Sequence, residues 1–285
     1  MSPAPPAYVV ARLHLGPKPC AVEGGFGSVW VSMYDASREV RIDPKTDRVI
    51  ARIRTDTAPC GIAVGGGSVW VENFRGDTVT RIDPATNKVV ATIKVGSSPY
   101  DVTWSSGAAW VTNYTDGTVS RIDGRTDKVR TIRVQESPTG IAPAGGAIWV
   151  SNQADETVSR IDPRSLKVRS TKLGFAPSWA SWGSGGVWFS DTNGIDRVDL
   201  STGRRADRVR TKGQANDGDI VGRTLWVTDS SGRLYEISRK DDRLLGSWPT
   251  GLGNPFVLVG YRGLLWTVDF QGTDVEAIDP AKLRH

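Results

Sequence analysis

Two cysteines in 285 residues, Cys20 and Cys60, are too few for a disulfide scaffold. Two histidines, His14 and His285, leave little for zinc ligation or for a nucleophile–base pair, and no G-x-S-x-G elbow occurs. No apolar run approaches the roughly 18–20 residues that cross a bilayer, so no membrane partner is expected. No stretch holds a helical period, so helix content should be near zero. The opening M-S-P-A-P-P-A lacks the basic start and apolar stretch of a secretory signal. It fits a cytosolic start or an initiating Met on a mature secreted chain, and localisation stays open between the two.

What the chain has in quantity is tryptophan, at a fixed interval. Trp30, Trp70, Trp110, Trp149, Trp188, Trp226 and Trp266 are separated by 40, 40, 39, 39, 38 and 40 residues. Around each lies one sentence, clearest over residues 59–95: P-C-G-I-A-V-G-G-G-S-V-W-V-E-N-F-R-G-D-T-V-T-R-I-D-P-A-T-N-K-V-V-A-T-I-K-V. It divides into four strand-like runs, Gly61–Val64, Ser68–Asn73, Thr78–Asp83 and Lys88–Val95, each bounded by Gly, Pro, Asn or Asp. Four strands in about 40 residues predict an all-β, seven-bladed β-propeller of four-stranded blades. Asp43-Pro44, Asp83-Pro84 and Asp162-Pro163 read as turns in which Asp accepts a local backbone hydrogen bond. The pairs Gly65-Gly66 and Gly145-Gly146 read as suppliers of positive φ.

The two ends of the chain account for each other. After Trp266 one more third-type strand follows, residues 275–279, and the fourth is missing. Residues 8–15, Y-V-V-A-R-L-H-L, align position for position with the fourth-type strand K-V-V-A-T-I-K-V at 88–95. The N-terminal strand should therefore complete the last blade and close the ring, leaving only short, protected edges. Residues 1–7 read as a flexible tail and 8–285 as one propeller domain, expected to be a monomer.

The repeat wording, P-x-G-I-A-V, then V-W-V-x-N, then T-V-x-R-I-D-P-x-T-x-K-V, resembles the bacterial YVTN-type propeller repeats. It is also similar to the streptogramin lyase (virginiamycin B lyase) propellers, over residues 8–283. That resemblance implies a lyase with a histidine base, a glutamate and Mg²⁺. Here Asn or Asp holds the corresponding slot of the tryptophan strand, and neither His14, on the outer edge, nor the terminal His285 can easily reach the centre. None of the family's catalytic residues is carried over.

The net charge of +5 invites a nucleic-acid reading, but the arginines argue against it. Arg41, Arg81, Arg121, Arg160 and Arg197 occupy one repeated slot and are spread around the ring, whereas a nucleic-acid footprint needs a patch. No nucleic-acid partner is expected.

The candidate site comes from broken symmetry. Loops entering the innermost strands share a face with the loops after the tryptophan strands, and ligands usually meet a propeller there. The residue four after each tryptophan runs Tyr34, Phe74, Tyr114, Gln153, Thr192, Ser230, Phe270. Its aromatics fall in blades 7, 1, 2 and 3, consecutive in a closed ring, and Tyr100 and Phe256 on entry loops join them. An aromatic crescent of this kind would bind an apolar or flat small molecule, or a protein partner, at the channel face. Plain loop packing explains the same residues equally well. Asp101 and Asp269 are candidate ligand contacts. With Asp35, Asp77, Asp116, Asp217 and Asp219 they allow Mg²⁺ or Ca²⁺, although turn capping is the commoner role of such residues. No cofactor is required. Cys20 and Cys60 hold equivalent places in neighbouring blades, so a disulfide is possible; two small half-buried thiols is the preferred reading. An enzyme of the streptogramin lyase type, without the histidine base, is the alternative to a binding propeller.

Overall fold

The computed structural model describes residues 5–183 and 186–283. Seven four-stranded antiparallel sheets, numbered here as blades in chain order of their tryptophans, make the ring. Blades 1 to 6 take residues 19–54, 59–94, 99–133, 138–172, 180–210 and 215–249, and blade 7 combines 255–278 with 9–14. Helix is confined, among the described residues, to two single 3₁₀ turns, Tyr34–Ala36 and Pro280–Lys282. In each blade the innermost strand comes first in sequence, and it packs on the innermost strands of both neighbouring blades.

The closing strand Val9–His14 pairs antiparallel with Asp274–Ile278, Leu13 opposite Val275 and Val9 opposite Ile278. Its ladder runs one residue further at each end: the Asp279 amide donates to the Tyr8 carbonyl (2.8 Å) and the Leu15 amide to the Thr273 carbonyl (2.9 Å). Ala11, Leu13 and Leu15 pack against the core. Of the expected tail, residues 1–4 lie outside the described residues; the Pro6 carbonyl accepts from the Val9 amide.

Each tryptophan is a blade's main core residue, from 0% exposed at Trp30 to 5% at Trp226. Its polar edge is satisfied locally: the indole N–H of Trp30, Trp70, Trp110 and Trp149 donates to the carbonyl five residues upstream at 3.0–3.1 Å. The repeated arginine lies on the ring it pairs with, Arg41 on Trp30 (4.8 Å), Arg81 on Trp70 (4.9 Å) and Arg121 on Trp110 (5.6 Å). Arg41 also reaches the Pro84 carbonyl of the next blade, and Arg81 reaches Asp127. The slot is therefore structural, joining neighbours around the rim.

The Asp-Pro turns behave as expected: Asp43 accepts from the Lys45 amide, Asp83 from Ala85 and Asp162 from Arg164. The Asn/Asp slot after the tryptophan strand is a turn clamp, with Asn73 donating to Thr78 and Thr80, Asn113 to Thr118 and Ser120, and Asn152 to Thr157 and Ser159. One glycine assignment is corrected. In blade 2 the positive φ falls at Gly66 (59°) and Gly67 (76°) rather than at Gly65. Gly65 is small for another reason: a Cβ there would stand 2.1 Å from the Trp104 ring of the next blade.

The cysteine assignment is corrected as well. Cys20 and Cys60 are joined as a disulfide across a Cα–Cα distance of 5.0 Å. The physical reason is the ring: equivalent entry positions of adjacent blades converge toward the axis, and 40 residues of sequence shrink to one bridge.

Candidate functional site

The entry loop and the loop after the tryptophan strand meet by a repeated backbone bond. The amide of Tyr34 donates to Lys18, Phe74 to Ala58, Tyr114 to Ser98, Gln153 to Ser137 and Ser230 to Gln214. This bond brings side chains four after the tryptophan beside those that follow the entry proline, which is why two unrelated stretches of sequence form one surface.

A pocket of about 170 Å³ opens on this face, lined by Cys20, Cys60, Glu72 and six aromatics: Tyr34, Phe74, Tyr100, Trp179, Phe256 and Phe270. The rings form two connected runs. Tyr34 stands edge-on to Phe270 (5.8 Å), Phe270 is tilted against Phe256 (5.1 Å), and Phe256 meets Trp179 edge-on (6.4 Å). Opposite, Phe74 stands edge-on to Tyr100 (6.2 Å), which stacks on Tyr114 (5.7 Å). All seven rings are half-buried, packed enough to be held and open enough to be touched. The disulfide lies in the pocket wall and fixes blades 1 and 2 relative to each other.

Five of the expected ligand contacts therefore line one cavity: Tyr34, Phe74, Tyr100, Phe256 and Phe270. Tyr114 is behind Tyr100 and supports it. Asp101 and Asp269 are elsewhere. Asp101 is inside the innermost strand of blade 3, and Asp269 accepts from the Gly253 amide (3.3 Å) in its own blade's entry loop. Asp77 and Asp116 accept from the Ser98 and Ser97 amides, and Asp35 pairs with Lys18 at 3.1 Å.

Sequence reading missed Trp179 and Glu72. The second residue after the entry proline is Ala21, Gly61, Asp101, Gly140, Trp179 and Val257 in blades 1 to 5 and 7, so blade 5 has the one large side chain there. Its entry stretch deviates to make room. The innermost strand begins only at Ala180, and the 178–180 backbone lies so close to Gly140 that a Cβ on that glycine would be 2.5 Å from the Ala180 nitrogen. Glu72 breaks a second slot, two after the tryptophan, which carries Ser or Thr in five other blades (Ser32, Thr112, Ser151, Ser190 and Thr228) and Val268 in blade 7. Both signals were present as departures from the repeat.

Beside the pocket, and sharing Trp179 with it, is the central channel, a cavity of about 260 Å³ lined by the innermost strands of all seven blades. Glu23, Asp101, Asp217 and Asp219 face it. The aspartates act as clamps between blades. Asp101 accepts from the Ile141 amide of blade 4 (2.9 Å), and Asp217 and Asp219 accept from Leu258 and Gly260 of blade 7 (2.8 Å each). Their other oxygens take the amides of Val102, Gly218 and Ile220. Burial still dominates: it raises Glu23 to about 8 and Asp101 to about 7, and holds Asp217 well above the usual carboxylate range. These residues do not fit the Mg²⁺ or Ca²⁺ the sequence allowed. The aspartate oxygens are committed to amides, and among the described residues no three His, Cys, Asp or Glu side chains converge to hold a metal ion. His14 is on the outer strand, 3.1 Å from Asp274, and His285 lies outside the described residues.

Comparison with known proteins places the chain by fold. The family model described as "Repeat of unknown function (DUF6923)" matches residues 52–153. That match does not carry the YVTN name for the repeat. A search of curated proteins finds no match. Among solved structures, a streptogramin B lyase is similar over 94% of this chain and 96% of its own, with TM-score 0.80 and 15% identity. A Kuenenia stuttgartiensis hydrazine synthase structure has TM-score 0.73 and 17% identity over 93% of this chain and 96% of that one. The computationally designed Ika8 protein has TM-score 0.69 and 11% identity over 93% and 97%. At these identities the likeness is one of fold.

Proposed function

We propose that the chain is a binding propeller whose aromatic pocket, on the channel face of blades 7, 1, 2 and 3, takes a small apolar or flat ligand. The observation that carries the reading is the one-sided placement of the rings. A blade-building residue recurs in every blade, whereas these aromatics do not, and they line a single concave surface whose wall is braced by the disulfide. Trp179, from blade 5, extends the lining across the ring to Phe256. The test is a thermal-shift screen with small uncharged aromatic compounds, since a ligand bound only by the folded state raises the melting temperature. A hit is expected to lose its shift in the double variant Trp179→Ala, Phe256→Ala. No shift from any compound, or one unchanged in that variant, would sink the reading.

A second reading is a lyase acting on a small or macrocyclic molecule, favoured by the likeness to streptogramin B lyase along nearly the whole chain. Asp101, with its carboxyl near 7, is the group closest to a general base. Its two oxygens each accept a backbone amide, which weighs against that role. Ring-opening of a macrocyclic substrate by the native chain, lost in Asp101→Asn, would establish this reading in place of the first.

A further inference from the structure

The slot that Glu72 occupies has a defined structural job. In blade 3 the Thr112 hydroxyl accepts the Asp101 amide (3.1 Å), in blade 4 the Ser151 hydroxyl accepts Gly140 (2.7 Å), and in blade 5 the Ser190 hydroxyl accepts Trp179 (3.0 Å). Each hydroxyl ties the tryptophan strand to the start of its innermost strand. Glu72 does the same with one oxygen: Oε1 accepts the Gly61 amide at 2.7 Å. A hydroxyl would suffice for that bond. The second oxygen is surplus to it. Oε2 is shut off from solvent and has no hydrogen-bond partner, on a residue that is 0% exposed and lines the aromatic pocket. An unpaired buried carboxylate oxygen is expensive to keep, so its presence in place of Ser or Thr calls for a partner.

We infer that the partner is an organic cation, and that the pocket is an aromatic cage for an alkylammonium group with Glu72 as its counter-charge. The inference rests on the reading of the pocket as a ligand site and names the ligand's chemical class. Ring faces attract cations through their quadrupole, and a buried carboxylate adds a full opposite charge in a medium that screens it little. About 170 Å³ suits a headgroup of trimethylammonium size. The rim already uses the same chemistry: the Arg75 guanidinium is 5.4 Å from the Tyr34 ring and the Lys18 ammonium 5.9 Å. Lys18 is balanced by Asp35, while Arg75 repels an incoming cation at Tyr34 and so directs it toward Tyr100, Trp179 and Phe256.

Burial, and then the nearby Asp101, push the Glu72 carboxyl well above its usual range, against the Gly61 amide, which lowers it. Tyr100, which lines the same pocket, is raised too, mainly by burial and then by Asp101 and Glu72. Burial thus favours the protonated form of Glu72 in the empty pocket, and a bound cation favours the ionised form. Cation affinity should rise as the pH is raised above the ordinary carboxylate value of 4.5, with release of a proton.

The probes are choline and its uncharged isostere 3,3-dimethylbutan-1-ol, titrated by calorimetry into the native chain, Glu72→Gln and Glu72→Thr. The threonine variant restores the hydroxyl residue that five other blades carry and should keep the melting temperature. Expected are binding of choline about tenfold tighter than the alcohol, a preference that grows with pH, and its disappearance in both variants. Equal binding of the two probes, or a preference that survives in both variants, overturns the cation inference and leaves the ligand pocket standing. If neither probe binds but uncharged aromatic compounds shift the melting temperature, the cation inference alone fails. If nothing binds, the ligand pocket fails with it.

Discussion

Arg12, in the N-terminal strand, donates from Nε to Oε1 of Glu276, in the last strand, at 2.7 Å across 264 residues of sequence. Its Nη2 reaches the Gly251 carbonyl (3.0 Å), and the Gly251 amide returns a bond to the other Glu276 oxygen (3.1 Å). Glu276 is fully buried, so Arg12 matters less for attraction than for leaving no buried charge unpaired. Arg12→Ala should destabilise the ring by about 3 kcal/mol in chemical denaturation, because breaking one side of a buried pair leaves the other stranded. Arg12→Met with Glu276→Leu should recover most of that loss. Removing residues 5–15 should prevent cooperative folding altogether; an unchanged melting temperature would refute closure by this strand.

The disulfide should be measurable in two ways. Mass spectrometry without reductant should find Cys20 and Cys60 joined. The chain-entropy relation for a loop of this size gives roughly 4 kcal/mol of stabilisation, so the Cys20→Ser, Cys60→Ser variant should unfold at clearly lower denaturant. Because the bridge is in the pocket wall, the variant should also weaken any ligand found in the screen.

The channel acids set a pH dependence opposite to the usual one. Glu23 near 8, Asp101 near 7 and Asp217 well above its usual range hold protons in the folded state that the unfolded chain releases near pH 4. The folded form binds more protons across this window, so stability should fall as pH rises from about 4 to 8. Denaturation midpoints should be higher at pH 5 than at pH 8.5, and Asp101→Asn should shrink the difference. Equal midpoints would mean these groups are ionised in the folded chain.

Gly65→Ala should cost more than an ordinary surface change, because the new methyl would collide with the Trp104 ring, which stacks on Trp70 at 5.5 Å. Gly67→Ala, where no atom lies within 4 Å of the new Cβ, meets only backbone strain at φ 76°. Of the two, Gly65→Ala should lose more stability and should perturb tryptophan fluorescence.

The ring and its closure were legible in the residues because a propeller writes its fold repeatedly. Seven tryptophans at near-constant spacing, Asp-Pro turns and an orphan strand at each end state local chemistry that every blade obeys. Half of the site was legible too, as aromatics that the repeat does not require. What only the closed ring decided is which of these meet. Tyr114 and Tyr100 look alike in sequence, yet one lines the pocket and the other stands behind it. Trp179 and Glu72 matter through distances to other blades, and no spacing along the chain encodes those. Cys20 and Cys60 became a bridge, and Asp101 and Asp217 became clamps between blades, for the same reason: positions equivalent in the repeat are far apart along the chain and converge only where the innermost strands crowd around one axis.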